Sequence, residues 1–180
     1  KFVYTVDIFV HSGDEKKIAS RCGGVVAEKE EEYSFPTATK MPNKRPVVAG
    51  FGPAGIFVAL CLARSGMRPI VLERGADVDG RTAAVERFYR EGQLDPDSNI
   101  QFGAGGAGTF SDGKLVTRVN DPLVGYVLSR FIEFGAPEEI KYIAKPHIGT
   151  DILAKIVDGM LEYIESKGAK VHYNTKFLSA

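Results

Sequence analysis

The chain has 180 residues, 44% of them hydrophobic and 26% charged, enough for one sizeable domain with a small appendage. Lysine plus arginine and aspartate plus glutamate each total 23, so no broad positive charge draws the chain to nucleic acid or an anionic membrane. No apolar run approaches the about 20 residues of a membrane span, the two cysteines Cys22 and Cys61 form no CxxC pair, and His11, His147 and His172 are scattered, so neither a disulfide framework nor a zinc site is expected. The reducing cytosol is the expected compartment.

The opening KFVYTVDIFV alternates, with Phe2, Tyr4, Val6, Ile8 and Val10 on one face, and reads as a half-buried strand. It lacks both a signal-peptide layout and an initiator methionine, so a piece of a longer or processed protein is expected. SGDEKKIASRC reads as a turn and short helix capped by Ser12 or Asp14. GGVVA reads as a second short strand, and EKEEEY as a solvated charge run. SFPTATKMPNKRP has linker composition, which places a boundary near residues 34–44 and divides the chain into 1–40 and 41–180.

From Arg45 the pattern changes. RPVVAG is a short buried strand, PAGIFVALCLARSG a helix with Ile56, Leu60 and Ala63 inward, and MRPIVLE the next strand. This is a βαβ unit, which implies a parallel pair with a right-handed crossover. RTAAVERFYREG is a further helix. DPLVGYVLSRFIEFG is another, with Asp121 as cap, Pro122 in the first turn and Gly135 at its end. TDILAKIVDGMLEYIESKG is a long amphipathic helix capped by Thr150 or Asp151, and AKVHYNT is a strand with His172 facing solvent. The fold class reads as α/β, with a Rossmann-like βαβ unit over 41–180 behind a small α+β N-terminal domain over 1–40.

Gly50-Phe51-Gly52-Pro53-Ala54-Gly55 fits GxGxxG between a strand and a helix. Gly50 permits the tight turn, Gly52 lets a pyrophosphate approach the backbone, and Gly55 lets the helix pack on the sheet. The helix N-terminus offers free N–H groups to phosphate. Glu73, at the end of the next strand, is placed to accept from both ribose hydroxyls. A 2′-phosphate there would meet a like charge, which disfavours NADP and leaves FAD or NAD. Arg74 works against that argument where it turns towards a phosphate. Arg81, at the start of a helix near the phosphates, is a candidate charge contact.

QFGAGGAGTFSDGK is a second glycine cluster, with Gly103, Gly105, Gly106 and Gly108 followed by Thr109, Phe110, Ser111 and Lys114. It reads as a backbone cradle for phosphate or the pyrimidine edge of a flavin, with Lys114 set to stabilise charge on a reduced flavin. The alternative is a flexible surface loop. Cys61 reads as a small buried helix residue. His147 reads either as a substrate or cofactor contact or as a residue orienting the loop before the next helix.

RPVVAGFGPAGIFVALCLARSGMRPIVLERG, NIQFGAGGAGTFSDGKL and KPHIGTDIL together resemble the largely uncharacterised family of bacterial FAD-dependent dehydrogenases, within the glutathione-reductase-like two-dinucleotide-binding flavoproteins. The resemblance implies FAD, with its AMP ribose on Glu73, its pyrophosphate on the 50–55 turn, and Gly105–Ser111 along the pyrophosphate or flavin. It implies a nicotinamide, NAD(P)H, as a candidate electron donor and a small-molecule or protein redox partner. It also implies that 41–180 is the N-terminal part of an FAD-binding Rossmann-like domain with later contacts outside these residues, so the 180-residue piece by itself is expected to hold FAD weakly or not at all and to be inactive. Ala104 departs from the family pattern, which carries an acid there. Outside the family, the readings are an NAD-binding dehydrogenase domain and an interaction or regulatory fragment with an empty nucleotide site. Flavin-dependent RNA modification is a minor option, because the chain lacks a basic stripe. No catalytic residue is identified from the sequence.

Overall fold

The computed structural model describes residues 6, 8, 10, 11, 13–26, 33, 35, 40–111, 113–117, 119, 121–143 and 145–179. The chain divides into two units, Lys1–Glu32 and Tyr33–Ala180. In the first, Asp14 starts the short helix α1 (Glu15–Ala19), accepting from the Lys16 and Lys17 N–H groups at 3.0 and 3.3 Å. Ser12, the other expected cap, lies outside the described residues, as do Phe2, Tyr4 and the charge run 28–32. Of the expected first strand, Val6, Ile8 and Val10 are described and are exposed. The strand expected at GGVVA is not formed over the described residues 23–26. There the paired glycines turn instead, with Gly24 at φ +82° and Val25 N–H on the Cys22 carbonyl.

The second unit is α/β and contains a three-stranded parallel sheet. Its strands are β1 (Val47–Ala49), β2 (Ile70–Leu72) and β3 (Lys170–His172), in that spatial order. Val48 opposes Val71, which opposes Val171. A parallel pair needs a crossover, and between β1 and β2 it is helix α2 (Pro53–Arg64). From β2 to β3 the chain passes through α3 (Val78–Glu91), α4 (Pro122–Glu133) and α5 (Thr150–Ser166). Short 3-10 turns form at Ala107–Phe110 and Glu138–Lys141.

The core follows helical spacing. Ile56, Ala59, Leu60 and Ala63 of α2 meet Leu153, Ile156, Val157, Met160 and Ile164 of α5, over Val48 and Val71 of the sheet. Each fully buried Leu or Ile side chain contributes about 2 kcal/mol. Arg45 ties the strand entrances together, donating to the carbonyls of Arg68, Pro69 and Gly168 at 2.6, 3.2 and 2.8 Å.

Three local expectations are corrected. α3 begins at Val78, ahead of Arg81, because the Asp77 carboxylate accepts from Gly80 N–H at 2.9 Å and so starts the helix earlier. α5 is capped by Gly149 at φ +83°, which places Thr150 and Asp151 inside the helix. Cys61 is half-buried rather than buried, with its Sγ 3.6 Å from the Tyr126 hydroxyl. By contrast, α4 has Asp121 as cap, Pro122 in its first turn and Gly135 just beyond it. The segment of linker composition contributes Phe35, whose ring lies edge-on to Tyr126 at 4.8 Å, beside Tyr33.

Candidate functional site

The first glycine loop joins β1 to α2. Gly50 has φ +90° and donates to the Leu72 carbonyl at 2.8 Å, so the loop leaves the sheet still bonded to β2. The Phe51 ring is fully buried and anchors the loop in the core. Gly55 has no room for a side chain, since a Cβ there would stand 2.0 Å from the Gly50 carbonyl oxygen. The small residue thus lets α2 close onto the turn. The first helical turn has no internal acceptors for its N–H groups. Pro53 has none to offer, and the Ala54 and Gly55 N–H groups begin the helix with Ala54 exposed. The positive end of the α2 dipole therefore opens outward.

Glu73 follows β2 and is only 4% exposed. Its Oε2 accepts from Phe51 N–H at 2.6 Å and its Oε1 from Gly75 N–H at 2.8 Å. The carboxylate thereby fastens the glycine loop to the end of β2. A carboxylate has about four acceptor sites, so capacity remains for further donors. An amide could satisfy only one of the two N–H groups, because its NH2 would face the other. Glu73→Gln is expected to destabilise the fold by about 2 kcal/mol, measured by chemical denaturation of the full-length polypeptide. An unchanged midpoint would show that the two bonds carry no weight.

The second glycine cluster docks onto the first. Gly105 N–H donates to the Phe51 carbonyl at 2.9 Å, and Ala104 N–H to the Ala76 carbonyl at 3.2 Å. Gly106 has φ +68°, and a Cβ on it would lie 2.7 Å from Pro53 Cδ and 3.2 Å from Gly52 Cα. Two glycines remote in sequence thus bring backbone against backbone. Ala107 is exposed and Gly108 half-buried at this edge.

Arg81 is fully buried. It donates to the carbonyls of Asn99, Ile100, Ala104 and Gly106 at 2.8, 2.7, 2.6 and 2.7 Å. Its guanidinium lies 4.7 Å from the centre of the Phe110 ring. Burial lowers its pKa to about 10, while the charge of Glu73 acts to raise it. The side chain is therefore cationic at neutral pH, and these bonds commit it to shaping the loop.

The remaining sequence candidates take distinct places. Thr109 is buried against Gly105, with no partner for its hydroxyl among the described residues. Ser111 Oγ donates to the Gly108 carbonyl at 2.8 Å and closes the 3-10 turn. Lys114 pairs with His147 in an isolated antiparallel bridge, which sets these two candidates directly opposite each other. Arg74 is engaged by Asp97. Its Nε donates to Asp97 Oδ1 at 2.8 Å, its Nη2 reaches the same oxygen, and its guanidinium covers the Phe102 ring at 4.3 Å. His11 and His172 are exposed, and among the described residues no His, Cys, Asp and Glu group could hold a metal ion.

Asp97 and the turn that holds it were not apparent as part of this site from the sequence. Asp95 Oδ1 accepts from the Asp97 and Ser98 N–H groups at 2.9 and 3.0 Å, and Asn99 Oδ1 from those of Gln101 and Phe102 at 2.9 and 3.2 Å. The signal was the DPDSN run, which is rich in residues that bond their own backbone. Beside it, Val85, Phe88, Leu94, Ile100 and Phe102 line an apolar concavity of about 490 Å³.

No protein-family profile matches the chain. An uncharacterised protein of Clostridium beijerinckii is 48% identical over 179 residues, which is 98% of this chain and 33% of that relative. The chain thus spans about a third of the length of the relative it matches. No helix among the described residues is long and apolar enough to cross a membrane.

Proposed function

We propose that these residues supply the dinucleotide-binding part of an FAD-dependent oxidoreductase of the reducing cytosol. One observation carries the reading. Two glycine loops, far apart in sequence, are bonded together through Gly105 N–H and the Phe51 carbonyl beside the open N-terminus of α2. Such a double backbone edge suits a long, doubly phosphorylated ligand, and a simple NAD site has no need of the second loop.

The residues present fit FAD on that geometry. A Cβ at Gly106 would fill the space between the loops, and the exposed first turn of α2 offers N–H groups to a pyrophosphate. Glu73 retains acceptor capacity for ribose hydroxyls, and its charge opposes a 2′-phosphate. In this reading Gly50–Gly55 and Glu73 bind the AMP half, and Gly105–Ser111 runs along the pyrophosphate or flavin. Lys114 lies further along the same segment. Arg81 positions the second loop without touching the ligand, and its buried cation favours negative charge nearby. The flavin, when bound, supplies the hydride chemistry. A nicotinamide donor and a small-molecule or protein acceptor complete the proposed reaction class.

The test is the absorption spectrum of the full-length polypeptide purified without added cofactor. Flavin bands released on denaturation are the expected result. A colourless protein that ignores added FAD and binds NAD would overturn the reading.

A further inference from the structure

We infer that Asp97 is a specificity-determining residue, which disarms Arg74 and so keeps the site selective for nucleotides with a free 2′-hydroxyl. The inference rests on the dinucleotide reading and names a determinant within that site.

The arginine immediately follows Glu73, the carboxylate at the end of β2. In sites of this kind an arginine near that position is what accommodates a 2′-phosphate. By sequence alone, then, Glu73 opposes a 2′-phosphate while Arg74 invites one. The structure separates their effects. Both Nε and Nη2 of Arg74 bond to Asp97 Oδ1, and Nη2 also reaches the Pro96 carbonyl at 3.4 Å. One face of the guanidinium is covered by the Phe102 ring. A cation already neutralised and stacked has little to gain by turning to another anion.

Asp97 is itself held in place. Its N–H and that of Ser98 both donate to Asp95 Oδ1, and the Asn99 side-chain amide donates to the Asp95 carbonyl at 2.8 Å. The anion is thus presented by a braced turn. Asp97 is also 46% exposed in its side chain, so replacing it opens no core cavity. Phe102 belongs to the same turn through the Asn99 carboxamide, so the counter-ion and the stacking ring arrive together.

The experiment measures the affinities of ADP and its 2′-phosphorylated counterpart by calorimetry on the full-length polypeptide stripped of flavin. Asp97→Ala is expected to tighten binding of the 2′-phosphorylated nucleotide about tenfold or more, a change of about 1.4 kcal/mol, and to leave ADP unchanged. Asp97→Asn, which keeps an acceptor without the charge, is expected to give a smaller gain in the same direction. Arg74→Ala alone is expected to leave both affinities unchanged, and added to Asp97→Ala it is expected to abolish the gain. An unchanged ratio of the two affinities in both Asp97 variants would overturn the inference and leave the dinucleotide reading standing. So would a parallel loss of ADP binding, which would make Asp97 a support of the loop. Wild-type polypeptide that binds neither ADP nor FAD would overturn the reading and the inference with it.

Discussion

Arg81→Ala is expected to destabilise the protein by roughly 4 kcal/mol, a large part of the 5–15 kcal/mol that holds a typical domain folded. The reason is the number of groups that depend on one side chain. Five carbonyls, those of Asn99, Ile100, Gly103, Ala104 and Gly106, accept from its guanidinium, the Gly103 bond being the longest at 3.5 Å. Truncation leaves them without that donor in a buried loop and opens a cavity over Phe110. Arg81→Lys is expected to recover only part of the loss, because three donors on a point charge cannot reproduce a planar fork. Chemical denaturation gives the total, and hydrogen exchange over residues 99–110 shows where the loss falls. Equal midpoints for wild type and Arg81→Ala, with unchanged exchange in that segment, would sink the assignment.

Gly106→Ala is expected to cost about 3 kcal/mol and to abolish flavin retention by the full-length protein. The backbone sits at φ +68°, where an L side chain is strained by about 1 kcal/mol, and overpacking adds about 2 kcal/mol. The new methyl would press on Pro53 Cδ and Gly52 Cα, so the loops must part at the edge assigned to the pyrophosphate. Gly108→Ala is the control. A Cβ there meets nothing nearer than Leu153 Cδ2 at 3.9 Å, so the fold should tolerate it. Thermal midpoints of the two variants compare the folds, and absorbance at the flavin bands of Gly106→Ala against wild type reads the site. Retention of flavin by Gly106→Ala at wild-type level would show that the contact between the loops does not shape the site.

These two results bear on why the site was only partly legible in the sequence. The β1–α2–β2 unit could be read because its signals are local. A short β-branched run, a glycine turn with Pro53 behind it and a helical apolar face each act within a few residues. The Asp121 cap was readable for the same reason, since a cap and its N–H donor are neighbours in sequence. Where two local signals competed, the expectation failed. Asp77 started α3 ahead of Arg81, and the glycine pair at 23–24 prevailed over the valines that follow it.

Residue type and spacing by themselves determined the α/β class, the strand–glycine turn–helix order, the position of Glu73 at the end of β2 and the presence of a second glycine-rich stretch. Only the tertiary structure decided what those groups face. A guanidinium, a carboxylate or a glycine states what bonds it can form, and the partner is chosen by the chain that folds against it. Arg81 read as a phosphate contact and its donors lie on the carbonyls of the second loop. Arg74 could face either way, and Asp97 holds it aside. The glycines of the second cluster read as a cradle, and Gly106 is also the surface on which Gly52 and Pro53 rest. Each of these choices spans many residues of sequence. The energy that makes it comes from burial and from hydrogen bonds formed only once the elements pack, which no local pattern records.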